Sequence, residues 1–321
     1  MKLINHRMKR QFLYVLTSCV ALLFSLPLVA QQVKSRNETQ STFRWEHRDD
    51  GLRRRFEARG KPEFTDDYSD IKSISEGGWV IVDGERNGQT LRYEVRRDAA
   101  GNLTRSLFVN GAARQLDDST RAWLAKFMLD VVRQGGFDAE KRVHTILTQK
   151  GVAGVLAEID QISGDYAKRI YYEQLMKQAN LNAAGLRDVL RQMAHNITSD
   201  YEQSQLLIAV APMLTGKDAA IQPFFEAVGT IQSDYEHSRV LKTMLKQGAP
   251  ESNDELLRRL LASAEGISSD YEKATFLIEA SNVYARNTRL RSEFLKAVES
   301  IKSDYERGRV LSALLKNKQI G

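Results

Sequence analysis

Ser199-Asp200-Tyr201-Glu202 recurs letter for letter as Ser233-Asp234-Tyr235-Glu236, Ser269-Asp270-Tyr271-Glu272 and Ser303-Asp304-Tyr305-Glu306. A diverged fifth copy runs Gly164-Asp165-Tyr166-Ala167. The steps between Tyr166, Tyr201, Tyr235, Tyr271 and Tyr305 are 35, 34, 36 and 34 residues. Recurrence at a near-constant period of this size is the signature of a repeat architecture.

The motif also predicts where each helix begins. In Ser-x-x-Glu the Ser hydroxyl can accept from the amide three residues on, and the Glu carboxylate can reach back to the Ser amide. The Asp between them adds negative charge at the positive end of the helix dipole. These two effects account for the acidic ladder Asp165, Asp200, Asp234, Asp270 and Asp304 without a ligand. The residues five, six, nine and ten beyond each Tyr share one helical face and, save Ser281, are apolar or aromatic, as in Leu206, Leu207, Val210 and Ala211, or Val240, Leu241, Met244 and Leu245. The Tyr stands on the other side with a small residue one turn on (Ser204, Ser238, Ala274, Gly308), which predicts a helix sandwiched between neighbours with the Tyr packed between units.

A second helix precedes each motif. Counting back from Ile162, Ile197, Ile231, Ile267 and Ile301, a stripe spaced by four includes Val155 and Ile159, Phe224 and Val228, and Phe294 and Val298. The fold class expected is mainly α: an α-solenoid of antiparallel helix pairs, HEAT- or TPR-like with a repeat of ~35 residues, over residues 117–321. Val310, Leu311, Leu314 and Leu315 are expected to close its C-terminal end.

Residues 43–116 change period to two. Phe43, Trp45 and His47, then Leu91, Tyr93 and Val95, alternate with charged neighbours, and the turn signals Gly77-Gly78, Asn87-Gly88, Gly101-Asn102 and Asn110-Gly111 lie between the runs. A small antiparallel β-meander of roughly five to seven strands is expected. It should pack on the first, atypical helical unit. Ser119 is the expected cap of the first helix, and Asp66, Asp67 and Asp70 read as turn residues.

Residues 1–30 carry Lys2, Arg7, Lys9 and Arg10, then an uncharged apolar run, and end at Leu28-Val29-Ala30. This reads as a signal peptide cleaved after Ala30, with a retained membrane anchor through residues 12–30 as the alternative. Residues 31–42 read as a linker. The leader holds four cations and no acid, which leaves +2 of the chain's formal +6 to the remainder. No polybasic run with interleaved aromatics remains to suggest nucleic acid. Cys19 is the only cysteine and lies in that leader, which excludes disulfides, a Cys-based zinc site and a Cys nucleophile from the exported part. The five histidines show no ligand spacing, so neither metal nor cofactor is expected.

Together with Asp70-Ile71-Lys72-Ser73-Ile74-Ser75-Glu76-Gly77-Gly78 and Val109-Asn110-Gly111, the Ile-x-Ser-Asp-Tyr-Glu repeats resemble the extracytoplasmic C-terminal region of bacterial penicillin-sensor-type membrane metallopeptidases. The resemblance covers roughly residues 65–321. The peptidase part of that family carries His-Glu-x-x-His, which this chain lacks, so no protease activity carries over. The resemblance implies a sensing or interaction module of the cell envelope.

The function expected is therefore that of an exported, periplasmic, non-catalytic sensor or protein-interaction module, with another envelope protein as partner. A binder of peptidoglycan or polysaccharide is the alternative, with Tyr171, Tyr172 and Tyr284 as aromatics that would line its groove. A hydrolase assembled from residues distant in sequence is the third reading.

Overall fold

The computed structural model describes residues 42–49, 52–247 and 253–320; the expected leader and all of the expected linker but Thr42 lie outside the described residues. Eight strands come first: β1 (Thr42–Asp49), β2 (Leu52–Arg59), β3 (Pro62–Phe64), β4 (Ile71–Ile74), β5 (Trp79–Arg86), β6 (Gln89–Arg97), β7 (Leu103–Val109) and β8 (Ala112–Arg114). Six of them form one antiparallel sheet in the order β1-β2-β5-β6-β7-β8, and β3 pairs only with β4. The meander expected from sequence is thus interrupted by a separate two-stranded hairpin between its second and third sheet strands. Asn87-Gly88 and Asn110-Gly111 make the two tight turns with positive φ at both residues, the backbone that a two-residue hairpin requires.

Period-two alternation gives the sheet two unlike faces. Trp45, Phe56, Val80, Val82, Tyr93 and Val95 are buried on the inner face, beneath Leu124, Phe127, Met128 and Val131 of α1 (Asp118–Gly135). Gly84 lets α1 come close, because a Cβ there would stand 2.8 Å from Cζ2 of Trp123. The cap of α1 is Asp117, which accepts from the Thr120 amide at 2.7 Å, rather than Ser119. A carboxylate one residue outside the helix reaches the third amide, while the Ser119 hydroxyl instead donates to Asp117.

The rest of the described chain is helical. It comprises α2 (Ala139–Ile159), α3 (Asp165–Gln178), α4 (Ala183–Asn196), α5 (Asp200–Val210), α6 (Ile221–Val228), α7 (Asp234–Gln247), α8 (Asp254–Glu265), α9 (Asp270–Arg286), α10 (Arg291–Glu299) and α11 (Asp304–Ile320). Within α2 the chain breaks at Gly151, whose φ of 65° is outside the helical region, so that the span is two helical segments in succession.

The helices fall into two series. The motif helices α3, α5, α7, α9 and α11 each contact the next, and so do the intervening helices α4, α6, α8 and α10. One continuous apolar core runs between the series from Ala139 to Val310, and all five pre-motif isoleucines are buried in it. The core ends unevenly. Val310 is buried, but Leu311 and Leu315 are exposed, so only part of the expected closing face is covered.

At the junction between sheet and helices, Glu158 of α2 is buried between two guanidinium groups, Arg133 of α1 at 2.7 Å and Arg142 of α2 at 2.6 Å. Burial alone would raise the Glu158 carboxyl, but the two arginines bring it below its ordinary value. Arg142 also lies over the ring of Tyr68, and the Tyr171 hydroxyl of α3 donates to the Val132 carbonyl of α1 at 3.2 Å. The sheet therefore sits on the first helical unit, as the diverged first motif suggested.

Candidate interaction surface

The motif residues divide into those consumed by neighbours and those left facing solvent. Each motif Asp but the last, Asp304, binds the turn of the next copy. Asp165 accepts from the Thr198 and Ser199 amides at 2.9 and 2.7 Å, and Asp200 from those of Gln232 and Ser233 at 3.1 and 2.7 Å. Asp234 does the same for Ser268 and Ser269 at 2.9 and 2.7 Å, and Asp270 for Lys302 and Ser303 at 3.1 and 2.8 Å. The two amides hold the Asp270 carboxyl below the ordinary range.

This corrects the capping-box reading in one respect. The Ser hydroxyls do accept from the Glu amides, at 3.3 to 3.4 Å. The Ser amides, however, donate to the Asp of the preceding copy and not to their own Glu. A carboxylate fixed at the start of one helix is better placed to receive two adjacent amides than a longer Glu side chain is to fold back on itself.

The Glu202 and Glu236 side chains instead reach the preceding motif helix, and Glu306 pairs with Arg309 of its own helix. Glu236 is buried and accepts from the Ser204 hydroxyl at 2.5 Å, and Glu202 is paired with Arg169. Ser204, the small residue one turn past Tyr201, is thus the seat of the next Glu, while Ser238 donates to the Glu272 main-chain carbonyl at 3.2 Å. In the diverged first copy Arg169 fills that seat with a charge of opposite sign.

A further periodic position escaped the sequence reading. The residue two past each Tyr ties its helix to a helix end: Lys168 donates to the Asn196 carbonyl at 2.7 Å, and Gln203 to the Ala227 carbonyl at 3.0 Å. His237 bonds to Ser263 Oγ at 2.9 Å, Lys273 donates to Ser300 Oγ at 3.2 Å, and Arg307 donates to the Ile301 carbonyl at 2.7 Å. Each of the five is a hydrogen-bonding side chain, but they span lysine, glutamine, histidine and arginine, and only lysine occurs twice. Burial pushes the His237 imidazole below its ordinary value.

The tyrosines are the second correction. Tyr201, Tyr235, Tyr271 and Tyr305 are not packed between units; they are 54%, 56%, 56% and 75% exposed. With the Asp and Glu on the sides that meet neighbouring helices, the intervening Tyr is rotated outward. The inter-copy Asp bonds place the starts of successive motif helices side by side, so these four rings form a row on one face. Arg239 of α7 lies 5.9 Å from the Tyr201 ring centre, and Arg309 of α11 lies 5.6 Å from that of Tyr271, within the range of a cation–π contact. By contrast, Tyr171, Tyr172 and Tyr284, the expected groove aromatics, are buried.

The outer face of the sheet offers an open concavity lined by Arg53, Arg55, Asp83, Arg92, Glu94 and Phe108. Its charges are mutually paired: Arg53 with Glu46 at 2.9 Å, Arg55 with Glu57, and Arg92 with Asp83 at 3.2 Å and Glu94 at 2.7 Å. Asp70, expected as a turn residue, accepts from the Tyr93 hydroxyl at 2.9 Å and from Arg105 at 2.7 Å. Asp67 does hold its turn, accepting from the Ser69 amide at 3.0 Å, while Asp66 pairs with Lys141 at 2.9 Å. No group of three His, Cys, Asp or Glu side chains that could hold a metal occurs among the described residues. No helix among them is long and apolar enough to cross a membrane. No protein-family model, curated protein or solved structure matches the chain.

Proposed function

We propose that the stacked helix pairs are an α-solenoid and that the protein is a non-catalytic interaction module of the bacterial envelope, exported to the periplasm, which presents the motif tyrosines to another envelope protein. The observation that carries this reading is the exposure of Tyr201, Tyr235, Tyr271 and Tyr305 while Asp200, Asp234 and Asp270 beside the first three are taken up by the turns of the next copies. Tyrosine supplies large contact area with little side-chain entropy to lose, and a repeated row of it offers several anchors at once. The resemblance to the penicillin-sensor-type region supports a sensing role in the same compartment.

The test is capture from solubilised envelope by the tagged protein and by its Tyr201→Ser, Tyr235→Ser and Tyr271→Ser triple variant. One protein held in a fixed ratio to the bait, and lost by the variant while its circular dichroism is unchanged, is the expected result. Retention of the same proteins by both forms would overturn the reading. Retention on isolated cell wall instead would favour peptidoglycan or polysaccharide as ligand, a reading that the exposed rings also support.

A further inference from the structure

Cations extend the tyrosine row along the same exposed side. At four, seven and eleven residues beyond Tyr235 stand Arg239, Lys242 and Lys246, and at four and eleven beyond Tyr305 stand Arg309 and Lys316. These offsets share the tyrosine's side of the helix. The acids on or beside that side of the motif helices are Glu173, paired with Arg169, Glu279, paired with Lys246 at 2.8 Å, and Asp304 next to Tyr305, paired with Arg307 at 3.0 Å. Arg239 and Arg309 are steadied by the flanking motif acids Glu236 and Glu306 at 3.0 and 2.6 Å, which hold their guanidinium groups beside the rings. Lys242 and Lys316 add positive charge without an acid of their own among the described ion pairs.

Spacing narrows the occupant further. Packed helices lie about 8–10 Å apart, which sets the step between successive tyrosines. A polyproline II chain advances about 3.1 Å per residue with three residues per turn, so every third side chain returns to the same side after about 9.3 Å. An extended β-strand presents alternate residues, not every third, on one side and cannot stay in register with such a row.

We infer, building on the interaction-module reading, that the row Tyr201, Tyr235, Tyr271 and Tyr305 binds a proline-rich, acidic protein segment in the polyproline II conformation. Prolines at every third position lie against successive rings, and the carboxylates between them face Arg239, Lys242 and Arg309. Proline-rich ligands suit aromatic rows because they are already extended and lose little entropy on binding.

The experiment is fluorescence anisotropy of the whole exported chain with labelled 15-residue peptides of the repeats Pro-Pro-Glu, Pro-Pro-Lys and Gly-Ser-Glu. The Pro-Pro-Glu peptide is expected to bind at least tenfold more tightly than either of the others. Binding should weaken at least fivefold in an Arg239→Gln and Arg309→Gln double variant, and vanish in the tyrosine triple variant with its helicity intact. Equal affinity for Pro-Pro-Glu and Gly-Ser-Glu, or persistence of binding in the tyrosine variant, would overturn the inference, as would preference for a soluble acidic glycan over all three peptides. If a folded envelope protein is still captured through the tyrosines while no peptide binds, the inference fails and the interaction-module reading stands.

Discussion

The outer face of the sheet and the outer face of the motif helices are both wet and both rich in arginine, yet they are built differently. On the sheet, Arg44, Arg53, Arg55 and Arg92 are matched by Glu46, Glu57, Asp83 and Glu94 along and across adjacent strands. On the helices, Asp200, Asp234 and Asp270 are turned to the amides of the next copy and Glu236 to the preceding helix, and what faces water beside them is tyrosine accompanied by cations. The first face satisfies itself. The second leaves aromatic surface and positive charge available to another molecule. Surface polarity alone does not distinguish the two; the difference lies in where the opposite charges go.

The largest effect that would disturb this comparison is at the joint between the faces. Glu158→Gln leaves the partly buried Arg133 and Arg142 without the buried counter-charge between them, and breaking a buried ion pair in this way costs about 3–5 kcal/mol. Urea unfolding should show that loss in one cooperative transition. Because the folded Glu158 carboxyl titrates below its ordinary value, its contribution is complete above that value and is lost as pH falls through the lower folded one. The variant's stability should therefore be flatter with acidity than that of the parent.

His237 behaves with the opposite chemistry and the same direction. Its folded value is depressed by burial, so the unfolded chain takes up a proton first as pH drops below about 6.5. Stability should fall between that pH and the lower folded value, and His237→Gln should remove this portion of the pH dependence. The smallest effect belongs to the sheet face. Arg92 is about two-fifths exposed, so Arg92→Gln should cost no more than about 1 kcal/mol, and the cost should shrink in high salt. A larger, salt-insensitive loss would mean that the lattice is a structural element and not a solvated surface.

Much of the architecture was legible because it is written in repetition. The stripes around Val228, Leu206 and Val240 recur with one spacing, so helix positions and buried faces follow from them, and the Asn-Gly turns fix two hairpins. What escaped is mostly a matter of direction across the repeat boundary. In sequence Asp200 adjoins only its own helix, although its amide partners are 32 and 33 residues away. Once that carboxylate is drawn to the next turn, Tyr201 must rotate to solvent, and the packing assigned to it fails. The Tyr-plus-two ties through Gln203, His237 and Lys273 share a geometry but no residue type, so no count of identities could find them. Leu311 and Leu315 match the buried leucines of earlier copies in spacing; only the lack of a covering helix among the described residues sets them apart.

The central claim is that the motif divides its labour, with Asp joining copies and Tyr meeting a partner. Equilibrium urea unfolding of two variants tests it most directly. Asp234→Ala leaves two turn amides without their acceptor and should cost about 1–3 kcal/mol. Tyr235→Ser alters only an exposed ring and should stay within about 0.5 kcal/mol of the parent. If Tyr235→Ser destabilises the protein as much as Asp234→Ala does, the tyrosine is a packing residue and the account of its surface is wrong.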